Sequence, residues 1–148
     1  MSAYNFVAQD TNTAATTIGS LSQPASALKR LKMFYVSLAS DATADNAFEV
    51  VFRRTTAAGT STATVNTALD SADGAASGVS GQAHTVEPTY TANADVLGLS
   101  GHQRSTVQWY AQPGSEIVIP VTNSAGVGCL VQTVTSAFNQ VMTVQYSE

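Results

Sequence analysis

The sequence predicts an all-β fold: a jelly-roll-like antiparallel β-sandwich of about eight to ten short strands. Three observations point there. Apolar residues come in short runs or alternate with polar ones, and no long stretch has a helical period. Turn residues separate these runs at roughly the 8–12-residue spacing of sandwich strands. The abundant Thr and Val, with Tyr and Phe among the apolar residues, suit a pleated surface.

Tyr4 to Gln9 alternates weakly and forms a short first strand. Residues 10–27 are small and polar and close with Gln23-Pro24, which predicts an arm or loop anchored by Ile18 and Leu21. The chain therefore divides into an N-terminal arm, 1–27, and one sandwich domain, 28–148. Leu28 to Leu38 passes from basic-apolar to almost continuously apolar, a strand with Phe34, Val36 and Leu38 on one face and Met33 and Tyr35 on the other. Asp41 to Asp45 is a turn. Ala47 to Thr55 alternates, with Phe48, Val50 and Phe52 opposite Glu49, Val51 and Arg53. Residues 56–83 are low in complexity, with a weak strand near Ser61 to Asn66 and a loop around Asp70 to Gly81.

Six further strands follow: His84 to Tyr90, Ala94 to Leu99, Ser105 to Ala111, Glu116 to Thr122, Val127 to Thr135 and Phe138 to Tyr146. Ser100-Gly101, Pro113-Gly114, Asn123 to Gly126 and Ser136-Ala137 mark the turns that follow some of them. Val107 and Trp109 share a face, which predicts a core Trp109 and leaves Tyr110 as an exposed binding aromatic. Ile117, Ile119 and Val121 share another face, as do Met142, Val144 and Tyr146.

Charged residues make up 11% of the chain, against roughly 25% in ordinary soluble domains. The net charge of -4 and the scarcity of lysine disfavour nucleic acid and anionic membranes. No apolar stretch is long enough for a membrane helix, and no secretory signal is evident. Synthesis in a cytoplasm follows as the expectation. The single cysteine, Cys129, lies in an apolar run and reads as an inert core thiol.

Catalytic patterns are missing, and no enzyme is predicted. Gly78-Val79-Ser80-Gly81-Gln82 and Gly98-Leu99-Ser100-Gly101-His102 lack the last glycine of a nucleophile elbow. His84 and His102 stand apart without metal-ligand spacing, so neither metal nor cofactor is expected. Asp70-Ser71-Ala72-Asp73-Gly74 falls short of a calcium loop. Glu49 and Glu116 are the strand-borne acids that a hydrolase would use. Lys29, Arg30 and Lys32 form the one charge cluster, either a solvated strand start or a docking patch for an anionic protein surface.

The stretch from Arg104 to Val121, RSTVQWYAQPGSEIVIPV, resembles strand pairs of viral jelly rolls and related phage virion proteins. Size, small-residue composition and the polar arm are similar to tailed-bacteriophage capsid decoration (cement) proteins. That resemblance implies a non-enzymatic virion structural protein on the outer capsid surface. It implies a homo-oligomer, commonly a trimer, that binds the major capsid protein and stabilises the capsid. The other class is a carbohydrate- or receptor-binding β-sandwich of a tail fibre or adhesin, for which Tyr110 and Tyr90 are the candidate aromatics.

Overall fold

The computed structural model describes residues 1–26, 29–41 and 43–148. Ala27, Leu28 and Ala42 lie outside the described residues, and with them the expected 27/28 boundary and part of the 41–45 turn. The described residues form twelve strands and no helix: β1 (Ala3–Asn12), β2 (Thr17–Ser22), β3 (Leu31–Ala39), β4 (Ala47–Ala57), β5 (Thr60–Ala63), β6 (Thr67–Ala68), β7 (Val79–Val86), β8 (Thr89–His102), β9 (Val107–Tyr110), β10 (Ile117–Ile119), β11 (Gly126–Val134) and β12 (Phe138–Ser147).

They build two antiparallel sheets. Sheet A runs β10-β3-β12-β1-β6, with β9 pairing β3 beyond β10. Sheet B runs β5-β7-β2-β11-β4-β8. If β5 to β7 are set aside, and β9 and β10 are counted as one interrupted strand, the orders become β9/β10-β3-β12-β1 and β2-β11-β4-β8. These are the two four-stranded sheets of a jelly roll. Residues 60–86 are an insertion that widens both sheets on one side.

Alternation explains the core. Phe48, Val50 and Phe52 of β4 point inward as expected, and Met142, Val144 and Tyr146 of β12 meet them from sheet A. The rings of Tyr4 and Tyr146 stack at 5.6 Å, and Phe48 packs against Phe138 at 5.8 Å. Each large apolar side chain removed from water contributes about 1.5–3 kcal/mol.

Residues 3–12 and 17–22 do not extend as an arm. β1 lies between β12 and β6, and β2 between β11 and β7. Ile18 and Leu21 are buried, but within a strand. The polar pattern of β2 hides a strand because its outward residues are small and polar yet covered. The Thr17 hydroxyl donates to the Glu87 carboxylate and lies 2.7 Å from the Tyr90 hydroxyl. Ser20 Oγ lies 3.1 Å from His84 Nε2, and Ser22 donates to the Val79 carbonyl at 3.3 Å. Inward, a Cβ on Gly19 would stand 2.5 Å from Met142 Cε and 2.6 Å from Ala8 Cβ, so glycine permits the sheets to approach.

β3 departs from simple alternation. Gln145 pairs Tyr35 and Tyr146 pairs Met33, leaving Phe34 as a bulge. The extra residue turns Met33 inward together with Val36 and Leu38, while Phe34 is only half-buried. Ser100-Gly101 is no turn: both residues lie inside β8. A Cβ at Gly101 would come within 2.5 Å of Val107, so close packing between the sheets accounts for that glycine. The strand expected over His84 to Tyr90 is broken at Glu87-Pro88, between β7 and β8.

Candidate binding face

The outward face of sheet A is assembled by register. Tyr110 of β9 pairs Tyr35 of β3, Tyr35 pairs Gln145 of β12, Gln145 pairs Asn5 of β1, and Asn5 pairs Thr67 of β6. The neighbouring row runs Gln108, Ser37, Thr143, Val7. These positions alternate with the buried ones, so their side chains lie on the side away from the core. Lys32, opposite Val118 of β10, is the one charge among the outward positions of β1, β3, β6, β9, β10 and β12.

This face is neutral, amide- and hydroxyl-rich, and edged by apolar groups. Val7 is 48% exposed and Tyr110 67%. The Tyr35 and Tyr110 rings lie 4.6 Å apart at a tilt of 41°, and Gln108 Nε2 donates to the Tyr35 hydroxyl at 3.1 Å. Beside Val7 a shallow groove of about 410 Å³ is lined by Asn5, Ala63, Thr64, Val65, Thr67 and Gln82. The Gln9 N–H donates to Gln82 Oε1 at 2.8 Å and ties the insertion to β1. Such a face can accept and donate many neutral hydrogen bonds without stripping water from charges.

The basic cluster is not a single patch. Lys29 Nζ lies 3.0 Å from Glu148 Oε2, and that carboxylate also accepts from the Ser77 and Gly78 N–H groups at 2.6 and 3.0 Å. Arg30 is exposed. Lys32 sits on the neutral face. Backbone N–H groups of Glu116 itself and Gly114, with Lys32 adding its charge, hold the Glu116 carboxyl below the usual carboxylate range.

The other candidates fall elsewhere. Trp109 points inward but is only half-buried at the margin of the core. Tyr90 lies over sheet B, where a Cβ on Gly128 would strike its hydroxyl, and burial pushes its pKa up. Glu49 belongs to sheet B, with Thr133 Oγ1 at 3.5 Å, while Glu116 precedes β10 of sheet A. Asp70 Oδ1 accepts from Ala72 N–H at 2.9 Å and caps its own turn. His84 is half-buried, and burial lowers its pKa. Cys129 is buried, and burial raises its thiol pKa, which keeps it protonated. Among the described residues no three His, Cys, Asp or Glu side chains are grouped to hold a metal ion.

No family model, curated protein or solved structure matches the chain.

Tyr35, Gln108, Gln145, Asn5 and Val7 were not singled out in the sequence. Their common signal is an outward position on a strand. What unites them is the pairing of segments far apart in the chain, β3 with β9 and β12, and β12 with β1.

Proposed function

We propose that this chain is a non-enzymatic virion structural protein that decorates a phage capsid. In this reading it seats the outward face of sheet A on the outer surface of the major capsid lattice. The observation that carries the proposal is that face: five strands wide in register and nearly free of charge. Neutral faces of this kind bind by shape and by many individually weak contacts, which a repeating lattice multiplies. The jelly-roll strand order and the likeness of residues 104–121 to phage virion strand pairs support it. Lys29 is engaged with Glu148, so any charge-assisted docking falls to Arg30 and Lys32.

The Tyr35–Tyr110 pair beside Gln108 favours a second reading, carbohydrate binding, because sugar rings stack on aromatic faces and take amide hydrogen bonds. One experiment separates the two. The chain is incubated with capsids lacking it and co-sedimented, alongside Val7→Lys and Tyr110→Lys variants. At least about tenfold weaker attachment of both variants is expected, a loss of about 1.4 kcal/mol. Failure of the unaltered chain to attach, or undiminished attachment of both variants, overturns the docking face. Glycan capture lost in Tyr110→Lys, without capsid attachment, moves the function to the carbohydrate class.

A further inference from the structure

One side of the sandwich is left open. β8 is the edge of sheet B and, among the described residues, pairs with β4 alone. It has 14 residues, and from Leu97 to His102 its register with β4 is unbroken. The rest of β8 carries three register shifts and Asp95, so the free edge is the regular part alone, six residues spanning about 20 Å. It contains no proline, lysine or acid, the devices that usually protect a free edge. Gly98 and Ser100 face outward and are exposed, and a Cβ on Gly98 would meet nothing within 4 Å.

The core itself is open along the same side. Leu97 and Leu99 pair with Phe52 and Val50 and point inward, yet stay only half-buried because no strand lies beyond them. Across the seam, Val107 and Trp109 of β9 are inward and half-buried for the same reason. The other edges differ. β5 has four residues and a register shift, β6 has two, and β9 and β10 have four and three. None of them offers a strand that matches β8 in length.

We propose that the β8 edge is a self-association surface, occupied by β8 of a second copy of this chain. Antiparallel pairing about a two-fold axis satisfies the free N–H and C=O groups of both edges at once. It joins two six-stranded sheets into one continuous sheet and covers Leu97, Leu99, Val107 and Trp109. Head-to-tail rings would need a second long edge, and the described residues contain none. The product is therefore a closed pair and not the trimer that the phage resemblance implies. The outward face of sheet A stays free, so this inference stands independently of the capsid proposal.

The test is mass and amide protection of the full chain. Sedimentation is expected to give twice the 15.3 kDa chain mass. Gly98→Lys with Ser100→Lys places like charges opposite one another across the two-fold axis, and dissociation at least about tenfold easier is expected. Gly98→Ala keeps the pair. In the unaltered chain, hydrogen exchange of residues 96–102 slows as concentration rises, which needs no variant to fold. A monomer at about 100 μM, a trimer, or a dimer whose 96–102 amides ignore concentration overturns the proposal. So does a folded double-lysine variant that dimerises as well as the parent.

Discussion

Glu148 carries a charge almost out of reach of water, its side chain 1% exposed. Burial pushes its pKa up. The N–H groups of Gly78 and Ser77 and the Lys29 ammonium outweigh that and hold it below the ordinary glutamate value. Other charges are engaged within the chain, at or near its surface. The Arg53 guanidinium grips Asp95, Arg54 donates to the Val118 carbonyl across the sheets, and Arg104 donates to the Thr43 carbonyl at 2.6 Å. A carboxyl with a depressed folded pKa contributes stability that is present above its unfolded value, about 4.3, and is lost as pH falls through the folded one. Glu148→Gln should therefore lower stability by about 1–3 kcal/mol at neutral pH. It should also make the loss of stability below about pH 4.5 shallower. Thermal melts of both proteins from neutral to acidic pH check this; parallel curves would show that the carboxylate contributes nothing as an ion. In the sequence Lys29 belongs to a solvated strand start and Arg53 is an outward strand residue. Their partners lie dozens of positions away, beyond the range of local pattern.

At the scale of elements, legibility followed alternation. β4, β11 and β12 were readable because large apolar residues recur at every second position over most of their length. β3 was readable as a strand but not in phase, because the Phe34 bulge slips its faces by one residue. β2 was unreadable: Thr17, Ser20 and Ser22 are buried by hydrogen bonding to neighbouring strands, and polarity predicts exposure. The candidate face suffered similarly, since Tyr110, Tyr35, Gln145 and Asn5 become neighbours only once four strands are in register. The difference between an arm and a strand is measurable. Deleting residues 2–12 removes β1 from between β12 and β6, along with Tyr4, Phe6 and Ala8 from the core. Loss of the cooperative unfolding transition is expected from circular dichroism. A truncated chain that melts like the parent would mean that these residues do not hold the sandwich together.

At the scale of the whole molecule, nearly every stabilising pairing is non-local. β1 pairs along its full length with β12, from Ala3 opposite Ser147 to Asn12 opposite Phe138, and β2 pairs with β11. Closing such long loops costs entropy before the contacts form, so folding should be a single slow event on the millisecond-to-second scale. Stopped-flow refolding checks this; a dominant microsecond phase would contradict it. The same closure governs the chain's birth on the ribosome. The centre of sheet A cannot assemble until residue 147 has cleared the exit tunnel. At roughly 5–20 residues per second, β1 waits on the order of 10 s for its partner. Throughout that interval Tyr4, Phe6 and the β3 and β4 apolar runs stay uncovered. Holding chaperones of the cell that makes it should therefore raise the yield of folded chain.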